Sequence, residues 1–177
     1  MSTTDVAAVS GPQAVRLRGL EIGLIAGIVL VDQLTKAAVR ARIPLYETVP
    51  VVDGYLNLTH VRNSGAAFGF LNGVDFPFKA TILALVATAA LMGIAWYAAR
   101  VASHARVARL GLALILAGAV GNLVDRLVLG SVVDFVDVVL GTWHFWAFNV
   151  ADSAITLGVI ALIIDMMGTG RHASSTS

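Results

Sequence analysis

The chain has 177 residues, of which 58% are hydrophobic and 13% are charged, and its formal net charge is +1. A soluble domain is about half apolar and a quarter charged, so this composition indicates a membrane protein. The small net charge, without a basic face, argues against a nucleic-acid partner. Cysteine is absent, which excludes disulfides and cysteine-ligated metals. The four histidines have no metal-ligand spacing, and we expect neither a metal nor another cofactor.

Four apolar runs are each long enough to cross a bilayer core of about 30 Å as a helix. The first starts at Leu20 and continues to about Arg40, and the others cover 78–97, 110–129 and 150–167. The first run is not read as a cleaved signal peptide, because charged residues follow it where a small-residue cleavage site would stand. We therefore predict one four-span membrane domain over residues 16–170, between a disordered tail at 1–15 and a short tail at 171–177.

The distribution of arginine predicts how the spans are oriented. Four spans place both ends of the chain on one side of the membrane. The loop at 100–109 is basic and carries no acid, and Arg16, Arg18 and Arg171 lie on the same side. Because cytoplasmic loops are enriched in Lys and Arg, we expect both termini in the cytoplasm and the long segment 41–77 outside.

The external segment 41–77 is predicted to form a small β-sheet on the outer membrane surface. Residues 47–58 alternate in short pieces around Asp53-Gly54, which is a strong hairpin signal. Asn63-Ser64-Gly65 follows and leads into small residues, where the backbone can approach a ligand closely.

Two carboxylates lie in apolar sequence beside the predicted spans, where a charge is expensive to desolvate. Asp134 follows Gly130 in a stretch where a strand would bury it, and burial without a partner raises the pKa of a carboxyl group. Asp152 comes three residues after Asn149, as in a helix N-cap with an acid in the first turn, and this structural role alone would explain it. The same placement favours an ionised Asp152, so a proton shared with Asp134 would form an acid–base pair that activates water.

Further polar residues lie at the ends of spans one and three. Asp32 and Lys36 are spaced i, i+4, and form either an internal neutralising pair or a pair that faces the site and positions substrate. Asn122, Asp125 and Arg126 fall within one turn. We interpret Asp125 as ionised and structural, Arg126 as a guanidinium able to hold a carboxylate or phosphate, and Asn122 as orienting a catalytic group or binding the substrate backbone.

Five short motifs occur in order along the chain: Asp32-Gln-Leu-Thr-Lys36, Arg62-Asn-Ser-Gly-Ala-Ala-Phe68, Gly118-Ala-Val-Gly-Asn-Leu-Val-Asp-Arg126, Val133-Asp134-Phe135 and Phe148-Asn-Val-Ala-Asp152. Together they resemble the successive motifs of the bacterial lipoprotein signal peptidase family, signal peptidase II, over roughly residues 20–167. The resemblance implies a membrane all-α bundle of four transmembrane helices with a small external β-sheet, the β-cradle. It implies an aspartic endopeptidase of the bacterial cytoplasmic (inner) membrane that removes the signal peptide from diacylglyceryl-modified prolipoproteins, before the lipid-modified cysteine.

Position by position, the resemblance makes Asp134 and Asp152 the catalytic pair. It also implies that globomycin-type inhibitors occupy the same pocket, and we expect a monomer whose partners are the prolipoprotein substrate and membrane lipids. Two departures from the family pattern are the long tail before Arg16 and Ala147, which stands where the family often has proline. The supporting or substrate-binding residues implied by the resemblance are Asp32, Lys36, Asn63, Gly65, Asn122, Asp125, Arg126 and Asn149.

Two other classes of protein account for part of this pattern. A proton-coupled transporter or small channel also uses intramembrane acids, but near the bilayer centre and beside broken helices. A non-catalytic lipid-binding or assembly protein would explain Arg126, yet would tolerate asparagine in place of both Asp134 and Asp152. The position of the acids at one membrane edge favours the peptidase.

Overall fold

The structure, a computed structural model, describes residues 19–65, 70–71, 73–74 and 76–173, with side chains described up to Met167. Within these residues, four helices are long and apolar enough to cross a membrane. They are α1 (Gly19–Arg42), α2 (Lys79–Ala98), α3 (Arg106–Leu129) and α4 (Val150–Ala173). The four predicted spans are confirmed. The predicted tail at 1–15 lies outside the described residues.

Two helices extend further than the sequence predicted. Helix α4 continues to Ala173, so the first three residues of the predicted tail at 171–177 are helical. Helix α3 begins at Arg106 rather than at Leu110, and Arg109 therefore belongs to the helix and not to the loop.

An ion pair explains why Arg109 is not the solvent-facing loop charge that was predicted. Its guanidinium forms two hydrogen bonds of 2.7 Å to the carboxylate of Glu21, and both residues are only 5% exposed. Paired Arg–carboxylate groups of this geometry are strong where water is excluded. The pair joins the first turns of α1 and α3 at one end of the bundle.

The sheet lies at the other end of the bundle and has four antiparallel strands in the order β1-β2-β3-β4. They are β1 (Thr48–Val52), β2 (Leu56–Asn63), β3 (Val132–Leu140) and β4 (Trp143–His144).

The hairpin predicted at Asp53-Gly54 is confirmed by the antiparallel pairing of β1 with β2. Gly54 has φ +77°, a left-handed conformation that suits glycine. The segment 41–77, however, does not form the sheet alone, because α1 covers its first two residues and β3 and β4 come from the chain after α3. β3 is included because β2 offers it a second hydrogen-bonding edge. This pairing sets Asp134 opposite Val61 and Asn63 opposite Val132.

Helix α3 is central to the bundle, and each of the other three helices packs against it. Small residues allow α4 to approach it closely: a Cβ atom at Gly118 would collide with the carbonyl oxygen of Ala151. Close backbone approach through small residues is the usual means of packing membrane helices. This contact fixes the first turn of α4 against the middle of α3.

We expect Gly118→Ala to lower the thermal unfolding temperature in detergent, because the added methyl group must push α4 away from α3. Overpacking of this kind costs about 1–3 kcal/mol. Gly93→Ala in α2 is the matched control, since a Cβ there meets no described atom within 4 Å. Equal unfolding temperatures for the two variants would show that α3 and α4 are not held at this spacing.

Candidate active site

A buried cluster of three charges forms the floor of the site. The Lys36 ammonium lies 2.8 Å from an Asp32 carboxylate oxygen and 3.1 Å from an Asp125 oxygen. Asp32 and Lys36 are 0% exposed and Asp125 is 2% exposed. The Asp32–Lys36 pair is thus internal, and Asp125 pairs with Lys36 rather than with its neighbour Arg126.

The two carboxylates of this floor also hold the chain segments that carry the candidate acids. Asp32 Oδ1 accepts a 2.9 Å hydrogen bond from the backbone N–H of Ala151, in the first turn of α4. N–H groups in a first helical turn lack partners within the helix, so a buried helix end needs such an acceptor. Asp125 Oδ2 accepts a 3.0 Å bond from the N–H of Val133, directly before Asp134.

Lys36 also determines how Asn122 is oriented. Its Nζ donates to Asn122 Oδ1 at 3.0 Å, while Asn122 Nδ2 donates to Asp152 Oδ1 at 2.8 Å. An ammonium group can only donate hydrogen bonds, so the amide oxygen must face Lys36. The amide NH₂ of Asn122 is therefore turned towards Asp152.

Asn149 joins the two candidate acids and is fully buried. Its Nδ2 donates to Asp134 Oδ1 at 2.7 Å and to Asn122 Oδ1 at 3.2 Å. Its Oδ1 accepts from the N–H of Asp152 at 2.9 Å, and its own N–H donates to Asp152 Oδ2 at 3.3 Å. These reciprocal bonds resemble a capping box. The helix-cap interpretation of Asn149 and Asp152 is confirmed, and the same cap places Asp152 beside Asn122.

A second chain of hydrogen bonds connects Asp134 to Asn122 through the loop after β2. Asn63 Nδ2 donates to Asp134 Oδ2 at 3.2 Å, and Asn63 Oδ1 accepts from the N–H of Gly65 at 3.0 Å. Arg126 donates through Nη2 to the carbonyl of Gly65 and through Nη1 to the carbonyl of Asn122, each at 3.2 Å. Arg126 thereby links the end of β2 to the end of α3.

Asp134 is 3% exposed and is not the unpartnered carboxyl that the sequence predicted, since Asn63 and Asn149 both donate to it. Burial, followed by the negative charge of Asp152, nevertheless raises the pKa of Asp134 to about 7, against the opposing effect of the two amides. A carboxyl group with a pKa near 7 is able both to give and to take a proton at neutral pH.

Residues 24–168 match the model of a family described as Signal peptidase (SPase) II.

The chain belongs to the signal peptidase II family.

Similar proteins support this membership along nearly the full length. The Lipoprotein signal peptidase of Syntrophus aciditrophicus is 45% identical over 147 residues, which cover 83% of this chain and 91% of that relative. The Lipoprotein signal peptidase of Solibacter usitatus is 39% identical over 164 residues, covering 91% and 98%. A bacterial membrane enzyme solved by the in meso method has a TM-score of 0.77 and 31% identity, over 90% of this chain and 92% of that one.

The signal peptidase II resemblance given by the five motifs is therefore confirmed, as is the fold class of four membrane helices with a small antiparallel sheet. Every residue implied by the resemblance lies in the hydrogen-bonded network around Asp134 and Asp152, Gly65 through its backbone.

One member of the network was missed from the sequence. Gln33 donates through Nε2 to Asp125 Oδ1 and to the carbonyl of Gly121, both at 3.1 Å, and to Asp32 Oδ2 at 3.2 Å. It supplies N–H donors to a floor that holds two carboxylates and one ammonium. An amide in an apolar helix, directly after an acid, was the available signal, because polar groups within membrane spans are rarely unused.

Proposed function

We propose that the protein is an aspartic endopeptidase that removes the signal peptide from diacylglyceryl-modified prolipoproteins, cutting before the lipid-modified cysteine. Membership in the signal peptidase II family, and relatives named Lipoprotein signal peptidase, support the removal of a signal peptide. The observation that carries the mechanism is the arrangement of Asp134 and Asp152, which are bridged by the amides of Asn149 and Asn122.

In the proposed reaction, Asp134 and Asp152 act as a pair that holds one proton. The ionised carboxylate takes a proton from water, and the water oxygen forms a bond to the carbonyl carbon of the scissile peptide. The protonated carboxyl gives its proton to the carbonyl oxygen, which yields a neutral tetrahedral intermediate. Breakdown of the intermediate transfers a proton to the leaving nitrogen, breaks the carbon–nitrogen bond and leaves the pair with one proton again.

The supporting residues would act through these two acids. Asn149 holds Oδ1 of Asp134, and Asn122 holds Oδ1 of Asp152. Asn63 holds the other carboxylate oxygen of Asp134. Asp32, Lys36 and Asp125 hold this arrangement from below. They are too deeply buried to touch a substrate.

We place substrate and inhibitor binding on the half-buried side of the site. There Arg126 and the backbone of Gly65 meet at the end of α3. A guanidinium next to backbone carbonyls suits the extended peptide around the scissile bond, and a globomycin-type peptide would occupy the same position.

The orientation in the membrane is also proposed. Arg100, in the short connection from α2 to α3, and Arg106, the first residue of α3, are exposed at the end of the bundle opposite the sheet. The enrichment of Lys and Arg in cytoplasmic loops then places this end, and both termini, in the cytoplasm and the site on the external side. A monomer surrounded by lipid is sufficient for this arrangement.

A cleavage assay with purified protein in lipid tests the function. We expect a diacylglyceryl-modified prolipoprotein to be converted to a faster-migrating product, and the same prolipoprotein without the lipid to remain intact. Detection of the product by gel mobility and by mass places the cut. Failure of well-folded protein to cut the lipidated substrate, or cleavage elsewhere than before the modified cysteine, would contradict the proposal.

A further inference from the structure

Two cavities lie side by side at the end of the bundle that carries the sheet, next to the beginning of α2. The larger has a volume of about 560 Å³ and is lined by Ser64, Gly130 and the beginning of α2, among others. The smaller has a volume of about 250 Å³ and continues along the two helices, between Thr88 of α2 and Leu127 of α3. Ala80 and Thr81 line both cavities, so the two adjoin along α2, and together they are called the groove.

The end of the groove nearest the sheet adjoins the proposed catalytic site. Arg126, which binds the carbonyls of Asn122 and Gly65, lines the smaller cavity. Ser64, which lines the larger cavity, directly follows Asn63, the donor to Asp134. A molecule whose polar end lies beside Arg126 can therefore extend into the groove without leaving the site.

The smaller cavity, which extends along α2 away from the sheet, has the dimensions and chemistry of a site for a hydrocarbon chain. On α2 it is bounded by Ala80, Ala84 and Thr88, which recur every four residues and leave space where larger side chains would fill it. Thr88 directs its hydroxyl to the carbonyl of Ala84 at 2.8 Å, which leaves its methyl group as the contact surface. Leu85 and Leu127 form apolar walls.

The size of the groove suits an acyl chain of a lipidated substrate and not the helix of its signal peptide. An α-helix with its side chains is about 10–12 Å across, which exceeds what the smaller cavity can hold. A single acyl chain is much narrower and has no backbone polar groups to satisfy. The groove also lies within membrane-spanning helices, where an acyl chain is already in an apolar medium.

We infer that the groove between α2 and α3, from Ala80 to Thr88, holds an acyl chain of the diacylglyceryl group while the adjacent peptide bond lies at Asp134 and Asp152. This inference rests on the proposed function and names the part of the protein that reads the lipid. Since the chain gains little free energy on passing from the bilayer to the groove, the groove acts by placing the scissile bond and not by raising affinity.

The spacing of Ala80 and Thr88 allows a length-dependent test. Eight residues of helix correspond to about 12 Å, so an acyl chain shorter than this does not reach Thr88 from Ala80. We expect Thr88→Leu to lower kcat/KM roughly 10- to 100-fold for a prolipoprotein with long acyl chains, because a misplaced scissile bond costs about this much. The same variant should cleave a short-chain prolipoprotein at the rate of the unaltered protein. Ala80→Leu, which fills the junction of the two cavities, should slow the cleavage of both substrates.

Two control variants separate filling of the groove from other effects. Thr88→Val removes the same hydroxyl without extending into the groove, so it should slow long-chain cleavage less than Thr88→Leu does. Ala90→Leu makes the same change as Ala80→Leu on the exposed side of α2, and should leave the cleavage of both substrates unchanged. An equal effect of Thr88→Leu on both chain lengths, or none on either, would overturn the inference. If the unaltered protein cuts neither lipidated substrate, the proposed function fails instead.

Discussion

Replacing either Asp134 or Asp152 by asparagine is expected to lower kcat/KM by about 10³-fold or more while leaving the fold intact. In the proposed mechanism each variant removes a group that gives or takes a proton, and the loss of either member of such a pair disables the whole unit. Asparagine keeps the size of the side chain and one acceptor oxygen, so the contacts with Asn149 and Asn122 are only partly lost. Cleavage of the lipidated prolipoprotein, beside a measurement of thermal unfolding, tests this expectation.

Asp137→Asn is the matched control for these two variants. Asp137 lies on the same strand as Asp134 and is also buried, but its carboxylate accepts from Asn57 Nδ2 at 2.9 Å and lies 3.1 Å from His144 Nδ1, away from the site. We expect this variant to retain activity within a few-fold. If Asp134→Asn or Asp152→Asn also retains near-normal turnover, the proposed pair is wrong.

The raised pKa of Asp134 also predicts that the difference in stability between Asp134→Asn and the unaltered protein depends on pH. Folding raises this pKa from 3.8 to about 7, so the folded state binds the proton more tightly than the unfolded state. The contribution of Asp134 to the free energy of unfolding is therefore full below about pH 4 and is lost as the pH rises towards 7. Asp134→Asn has no such loss. Its unfolding temperature should thus rise relative to that of the unaltered protein between pH 5 and pH 8.

The pH dependence of cleavage follows from the same proton. Above about pH 7 the pair of Asp134 and Asp152 loses the proton that it shares, so kcat/KM of the unaltered protein should fall as the pH rises through this value. Activity that continued to rise well above pH 8 would contradict a shared-proton mechanism.

Much of the fold could be predicted because the signals for it are local. Apolar runs of about 20 residues predict membrane helices, and Asp53-Gly54 predicts a hairpin. Asn149 followed by Asp152 predicts a helix cap, and the structure has that cap. The helix ends at Arg106 and Ala173 were not predicted correctly, because charged and small residues near a helix end fit a loop equally well.

The long-range parts of the site were not available from residue spacing. Nothing local to β2 or β3 specifies that Asn63 lies opposite Val132, which is what brings Asn63 to Asp134. Glu21 and Arg109 are 88 positions apart, so their pairing depends on how α1 and α3 pack. The five motifs indicated the residues of the candidate site through family resemblance, whereas the hydrogen bonds between these residues required the three-dimensional structure.

Lys36→Met is expected to destabilise the protein by about 3–5 kcal/mol, because it leaves Asp32 and Asp125 buried without their cation. Thermal unfolding in detergent tests the expectation. Leu34→Met is the matched control, since Leu34 lies on the same helix and is 60% exposed. If Lys36 instead served mainly to contact substrate, Lys36→Met would leave stability unchanged and raise KM alone.

A double variant separates the two effects of Lys36. Asp32→Asn together with Lys36→Met keeps the formal charge of the floor at −1, the same as in the unaltered cluster of two carboxylates and one ammonium. The double variant should therefore recover part of the stability that Lys36→Met loses. It should not recover full cleavage, because the oxygen of Asn122 then loses the ammonium donor at 3.0 Å and retains the longer 3.2 Å bond from Asn149 Nδ2, which holds its amide group towards Asp152 less firmly. Recovery of both properties would show that Lys36 acts on Asp152 through charge alone, and that the orientation of Asn122 does not matter.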